Sequence, residues 1–259
     1  MTRHPALAGL RIGCVQYLNS RPLIHDYDGP VVFDHPSGLA RELAAGRLDA
    51  ALVPIFEVLR DPRYAVVDGV AIASEGPVFS VFLAHRGPLA AIRTIALDPA
   101  SLTSAHLLQV LLAEYHGLRP RCADARTLAE PADAALLIGN QAIDFRAADG
   151  GAHSLLDLGA EWTRCTGLPF VFAVWALRPG LADAPAVAGD FRRLRQAGLG
   201  RLEEIVATDA HPPEFARRYL TEHIRFGLGE REKAAIARFA GLLVRWGFIG
   251  SGGAPLRYL

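Results

Sequence analysis

The sequence has a single lysine, Lys233, and it stands in the charged stretch Glu230-Arg231-Glu232-Lys233, which reads as exposed helix. A Schiff-base enzyme needs a lysine in an apolar pocket. The sequence therefore argues against amine catalysis and against pyridoxal phosphate. Cysteine is also scarce: Cys14, Cys122 and Cys165 lie far apart with no Cys-x-x-Cys pair. An odd, scattered set provides neither a disulfide framework nor a metal site, so the three are read as small buried hydrophobes. Neither sign of charge is in excess, with 27 basic and 27 acidic residues. Nucleic-acid binding needs a basic surplus or stripe to meet phosphates, and none is visible. The longest continuous apolar run, Leu168 to Leu177, is too short to span a bilayer. Met1-Thr2-Arg3-His4-Pro5 opens the chain without the apolar core of a leader peptide. A cytoplasmic location is expected, with no membrane and no nucleic-acid partner.

What is present is material for a large core: 51% of the 259 residues are hydrophobic. That length suits one large domain or two lobes. Arg11–Leu18 reads as a strand that stops at Asn19-Ser20-Arg21-Pro22. Val31–Asp34 is a second strand. Leu39, Leu43 and Ala44 have helical spacing and Gly46 stops that helix. Asp49–Pro54 is a short buried strand. Strand, helix and strand in this order imply parallel pairing through a right-handed crossover.

The same order recurs downstream. Thr94–Asp98 is a strand, Pro99–Ser104 a small polar loop, and Ala105–Tyr115 a helix followed by Gly117. Asp133–Gly139 then echoes Asp49–Pro54. The repeat predicts two similar α/β lobes. Two apolar segments, Val78–Ala84 and Pro169–Ala176, are read as the strands that carry the chain out to the second lobe and back. The expected division is residues 1–85 with 178–259 in the first lobe and 86–177 in the second. The C-terminal part is helical: residues 183–207 with a break at Gly198-Leu199-Gly200, a helix opened by Pro212-Pro213, and an amphipathic helix over 229–246. These helices are expected to pack on the first lobe.

No P-loop, His-Glu-x-x-His, Gly-x-Ser-x-Gly or metal-spaced cluster occurs. Instead, small polar residues gather where strands end and helices begin: Asn19-Ser20, Ser37-Gly38, Ser74-Glu75-Gly76, Ser101 to Ser104, Gly139-Asn140 and Thr166-Gly167. Open α/β sheets bind ligands at such strand ends, and helix N-termini favour carboxylates. Each cluster taken singly is also what an ordinary N-cap looks like. Together they point to a cleft for a small anion. Arg21 is the best placed cation, His106 falls in the first turn of a helix beside the Ser/Thr loop, and Glu75 precedes Gly76-Pro77. Asp49 and Asp133 read as structural residues at strand entries.

Several of these segments resemble one family. Val15-Gln16-Tyr17-Leu18-Asn19-Ser20-Arg21-Pro22-Leu23, Gly46–Pro54, Gly76-Pro77-Val78-Phe79-Ser80-Val81, Asp157-Leu158-Gly159 with Trp162, and Thr166-Gly167-Leu168-Pro169-Phe170-Val171-Phe172-Ala173-Val174-Trp175 are similar to chorismate dehydratases of the futalosine route to menaquinone. The likeness runs from about residue 10 to 250. Two positions depart from the family pattern. Leu102 stands where an arginine is usual, and Asn140 where an aspartate is usual.

The resemblance implies a type II periplasmic-binding-protein-like fold, with two Rossmann-like lobes joined by two crossing strands and a ligand cleft between them. It implies dehydration of chorismate to 3-[(1-carboxyvinyl)oxy]benzoate, a hydro-lyase reaction that needs no metal or organic cofactor. On this reading Ser101, Thr103 and Ser104 bind one carboxylate, with Asn140 at the neighbouring strand end. Asn19, Ser20 and Arg21 face them from the first lobe. Ser80 and the Gly76-Pro77 turn line one wall of the hinge, and Thr166, Gly167 and Phe170 line the other. Asn19, Ser80 and His106 are the candidate catalytic residues. The general base stays open between His106, Glu75 and the substrate's own side-chain carboxylate. A cytosolic small-carboxylate carrier and a naphthoate synthase-like enzyme of the same pathway are the alternatives. The oligomeric state and the degree of lobe closure are left open.

Overall fold

The computed structural model describes residues 4–98, 100–127, 131–251 and 255–259. Met1–Arg3 of the opening segment and Pro99 of the second polar loop lie outside them. The first strand–helix–strand unit is Ile12–Cys14 (β1), Val31–Phe33 (β2), Pro36–Ala44 (α1) and Ala50–Pro54 (β3). β1 pairs in parallel with both β2 and β3. β3 is buried along its whole length, as a strand covered on both faces should be. The strand expected over 11–18 is shorter because the chain coils at Leu18–Leu23 into a 3-10 turn. The Ser20 hydroxyl bonds the carbonyls of Val15 at 2.6 Å and Tyr17 at 2.8 Å, and Pro22 has no N–H for a ladder.

After Ile55–Arg60 (α2), Ala65–Ser74 (β4) completes this region before the chain crosses. Next come Val81–His85 (β5), Thr94–Leu97 (β6), Leu102–Tyr115 (α3), Arg121–Asp124 (β7), Ala134–Ile138 (β8), Gly139–Ala148 (α4), Ser154–Asp157 (β9) and Leu158–Thr166 (α5). Phe170–Leu177 (β10) returns the chain. It continues through Ala184–Leu199 (α6), Leu202–Ala207 (α7), Pro213–Arg218 (α8), a π-helical turn at Tyr219–His223, Glu230–Arg245 (α9) and the short strand Arg257–Tyr258 (β11).

The two sheets share one plan: β2-β1-β3-β10-β4-β11 and β7-β6-β8-β5-β9. In each, three parallel strands meet a strand that runs antiparallel to both its neighbours. Each antiparallel strand comes from beyond a crossing. β5 follows β4 but pairs in the second sheet, and β10 follows β9 but pairs in the first. The expected division at 85 and 177 thus puts both strands with the wrong sheet; the changes of sheet fall at 75–80 and 167–169. Sequence does not betray this, because a central strand is apolar on both faces whichever sheet holds it.

The two aspartates at the strand entries explain the repeat. Asp49 accepts the N–H of Arg11 at 2.9 Å, just before β1. Asp133 accepts those of Arg93 and Thr94 at 2.8 and 2.9 Å, at the start of β6. The same carboxylate registers the same parallel pair in each lobe. Asp49 also takes the Arg11 and Arg178 guanidinium groups, which hold its carboxyl well below the usual carboxylate range, the Arg11 hydrogen bond leading.

Helix α5 pins both crossings. Asp157 caps it through Ala160 N–H at 3.0 Å and also accepts the N–H groups of Val78 at 3.0 Å and Phe79 at 2.7 Å. The Thr163 hydroxyl accepts Gly76 N–H at 2.9 Å. Indole Nε1 of Trp162 donates to Pro169 O at 2.9 Å, on the return crossing. Gly159 has to be glycine, because a Cβ there would collide with the Ser74 hydroxyl and the Gly76 carbonyl.

The C-terminal helices hold more than the first lobe. α6 packs on β4 and on the 18–23 turn, whereas α9 reaches both β10 and α3. Glu114 of α3 accepts from Arg245 at 2.8 Å and from the Trp246 indole at 3.1 Å.

Candidate active site

A cleft lies between the two sheets, lined by residues from both, the kind of place where small-molecule sites form. Tyr17 and Asn19 line it from the 3-10 turn after β1, and Pro36 from the start of α1. Val78, Ser80 and Val81 line it from the outward crossing, Phe172 and Ala173 from β10. Ala100, Ser101, Leu102, Thr103 and Ser104 line it from the start of α3, and Ile138 and Gly139 from the start of α4. Among the described residues, no lining side chain is charged. α1, α3 and α4 all begin at the cleft. The first N–H groups of a helix lack intrahelical partners and carry a partial positive charge. The cleft can thus attract an anion without a cation.

Its polar groups are tied together. The Asn19 amide Nδ2 donates to the Tyr219 hydroxyl at 3.1 Å, and that hydroxyl meets Ser80 Oγ at 2.6 Å. Burial raises the Tyr219 phenol to about 12 and also pushes up Tyr17, with Asp98 adding to it. Both stay protonated at neutral pH. Asn19 Oδ1 and Ser101 Oγ are buried with no hydrogen-bond partner among the described residues. Leaving such a group unpaired costs about 1–3 kcal/mol, so each calls for an explanation. A ligand in the cleft supplies one.

Ser80 is held by a strained turn. Its N–H donates to Val78 O at 2.8 Å, and Phe79 between them has φ +69°. A non-glycine residue there costs of order 1–3 kcal/mol and persists only where its surroundings over-determine it. Here Asp157 fixes the Val78 and Phe79 N–H groups, and the Arg146 guanidinium covers the Phe79 ring at 4.1 Å. Ser80 O in turn accepts Gly139 N–H at 2.8 Å. Gly139 has φ +61°, and a Cβ on it would stand 2.9 Å from the Tyr17 ring.

Of the residues singled out in the sequence, the structure brings Asn19, Ser80, Ser101, Thr103 and Ser104 together at the cleft. Thr103 Oγ1 also accepts Phe56 N–H at 3.2 Å from across the lobes. The others sit elsewhere. Ser20 spends its hydroxyl on the turn that presents Asn19. Arg21 pairs with Asp209 at 2.8 Å and Thr208 at 2.6 Å, fastening that turn to the end of α7. His106 stacks on Phe56 with ring centroids 3.7 Å apart, and its Nδ1 contacts Leu102 O at 2.7 Å. Burial lowers its pKa, but the ring does not line the cleft. Glu75 pairs with Arg231 at 2.6 Å.

Gly76 and Pro77 belong to the outward crossing. Thr166 and Gly167 end α5, with Gly167 in the left-handed cap at φ +70°. Phe170 is core, packed edge-on against Trp162, Phe172 and Phe239. Asn140 accepts Leu18 N–H at 3.3 Å, a bond between the lobes. Gly139, from the Gly139-Asn140 cluster, does line the cleft, whereas sequence reasoning missed Tyr17, Phe172 and Tyr219. Phe172 reaches the cleft beside Ala173 because the β10–β4 register shifts between Val171 and Ala173. Such a bulge re-aims side chains, and strict alternation does not foresee it.

The family described as menaquinone biosynthesis matches residues 10–245. The chain belongs to this family. A chorismate dehydratase from Thermus thermophilus is 32% identical over 254 residues, covering 88% of this chain and 93% of that protein. One from Campylobacter jejuni is 27% identical over 226 residues, covering 86% and 88%. A Candida albicans protein described as having the generic periplasmic binding protein fold superposes with a TM-score of 0.64 at 14% identity, covering 94% of this chain and 92% of its own. The two-lobed periplasmic-binding-protein-like fold is thus the one adopted here. The motifs that carry the family likeness divide by task. Tyr17–Ser20 and Ser80 build the cleft, while Asp157-Leu158-Gly159, Trp162 and Thr166–Pro169 build the hinge. No helix among the described residues is long and apolar enough to cross a membrane.

Proposed function

We propose that this protein is a chorismate dehydratase, a hydro-lyase acting in menaquinone biosynthesis. The observation that carries the reading is the uncharged cleft in which buried Asn19, Ser80, Ser101 and Ser104 meet the starts of α3 and α4. The family membership supports it.

The reaction needs little machinery. The hydrogen on the ether-bearing ring carbon is acidic through the ring diene and its carboxylate. Its loss as a proton gives an extended enolate. Expulsion of the neighbouring hydroxyl, protonated to water, leaves an aromatic ring. Aromatisation supplies the driving force, so the protein has to hold two carboxylates, stabilise the enolate and steer the proton. Ser101, Ser104 and the first N–H groups of α3 take one carboxylate. Asn19 Oδ1 accepts from the ring hydroxyl and fixes its direction of departure. Ser80 donates toward the enolate. Phe172 and Ile72 supply apolar wall for the ring. Among the described residues no lining side chain can serve as a base, which leaves the substrate's own side-chain carboxylate to take the proton.

The test is mass spectrometry of chorismate incubated with the protein and with an Asn19→Ala variant. The expected result is a product short of one water, with turnover down about 100-fold in the variant and its melting temperature close to the parent's. Chorismate recovered unchanged from folded parent protein refutes the reading and favours a carrier.

A further inference from the structure

We infer that Tyr219 is a positioning residue that sets the hydrogen-bond polarity of the cleft, on the footing that the cleft dehydrates chorismate. Tyr219 lies 200 residues from Asn19 and 139 from Ser80, in the π-helical turn after α8. It does not line the cleft. Its ring is fully buried and stacked on Phe215 with centroids 5.8 Å apart. Its hydroxyl is placed between the two side chains that do line the cleft.

A phenol has one proton to give. The Tyr219 oxygen receives a hydrogen from Asn19 Nδ2 at 3.1 Å and lies 2.6 Å from Ser80 Oγ. Ser80 Oγ is the one acceptor within reach of the phenol proton among the described residues, so the phenol is assigned as the donor of that contact. Two consequences follow. The Asn19 amide is locked with Oδ1 as its free atom, a buried acceptor without a donor among the described residues. Ser80, whose lone pair is occupied by the phenol, keeps its own O–H to give away. Tyr219 thus makes Asn19 an acceptor for a hydroxyl and Ser80 a donor for an oxyanion, the polarity that the two ends of this substrate require. Without the phenol the Asn19 amide is free to turn over and the Ser80 hydroxyl is free to rotate.

The experiment compares Tyr219→Phe, 4-fluorophenylalanine at 219, which keeps the shape of tyrosine but cannot donate, and 3-fluorotyrosine at 219, which keeps the hydroxyl. The first two should lose about tenfold or more in kcat with KM changed about threefold or less, and 3-fluorotyrosine should stay near the parent. In an Asn19→Ala/Ser80→Ala background, Tyr219→Phe should cost about twofold or less, because the residues it acts through are gone. Parent-like kcat in the 4-fluorophenylalanine protein, or an undiminished loss in the double-variant background, overturns the proposal. The positioning is also read without substrate. Hydrogen exchange of the Asn19 side-chain amide should be at least about tenfold faster without the phenol, and unchanged exchange overturns the proposal too. If the parent fails to dehydrate chorismate while that exchange difference appears, the reaction assignment fails and the positioning stands.

Discussion

Replacing Asp157 separates the two jobs of the hinge. Its carboxylate accepts three N–H groups, from Val78, Phe79 and Ala160. Asp157→Ala removes the N-cap of α5, worth about 1 kcal/mol. It also removes two bonds to a charged acceptor, each worth about 1.5–3 kcal/mol. Relief of the strained Phe79 turn returns of order 1–3 kcal/mol, and water enters beside a half-buried group. A net loss of about 2–4 kcal/mol follows. At about 2–4 °C per kcal/mol for a protein of this size, the melting temperature should fall by about 5–15 °C. Asp157→Asn is the sharper probe. One oxygen can still serve Val78 and Ala160, but an NH₂ now faces the Phe79 N–H and releases that turn. The Asn variant should melt within a few degrees of the parent yet lose about tenfold or more in kcat, because Ser80 follows directly after Phe79. Circular dichroism melts and chorismate turnover read both effects. Unchanged kcat in Asp157→Asn refutes the claim that the carboxylate places Ser80. An Asp157→Ala melt within about 2 °C of the parent refutes the stability argument.

Acid should expose a second pair of contacts. Glu161 accepts from Arg164 at its Oε2 at 2.9 Å and meets His116 Nε2 at 2.7 Å, and its carboxyl is lowered from the usual 4.5 to about 2, mainly by the Arg164 hydrogen bond. A depressed folded-state value stabilises the fold above the unfolded value and stops doing so as pH falls through the folded one. Glu161→Gln should therefore flatten the parent's loss of stability between about pH 4.5 and 2, and parallel acid-unfolding curves for the two proteins would rule this out. Ser101→Ala removes a buried hydroxyl that has no partner among the described residues. Its melting temperature should hold or rise while KM for chorismate rises about tenfold, and an unchanged KM would remove Ser101 from the carboxylate site.

The legible parts of the sequence were those set by local chemistry. Gly46 and Gly117 end α1 and α3 with φ +69° and +65°, as glycine stops should. Asp49 and Asp133 mark the same strand entry in both lobes, so the internal repeat is legible in the sequence alone. Small polar residues at strand ends foretold a cleft, because a helix start advertises its free N–H groups through its neighbours. The cations were misread for the same reason. Arg21 stands beside Asn19 in sequence, but its partners Asp209 and Thr208 arrive from the far end of the chain, and nothing near Arg21 announces them. His106 has the spacing of a site residue, yet Phe56 and Phe248 enclose its ring.

Hydrophobic periodicity, glycine stops and the repeated aspartate follow from interactions within a few residues or one strand pair, so the sequence by itself determined the two α/β lobes and the helix starts that face each other. It could not determine which sheet takes β5 and β10, since a strand buried on both faces has no side-chain pattern that names its partners. Nor could it reveal that Tyr219 joins Asn19 to Ser80, or that a bulge turns Phe172 into the cleft. Those are long-range contacts. They exist only once the lobes, the hinge and the C-terminal helices have closed on one another, and tertiary packing alone decided them.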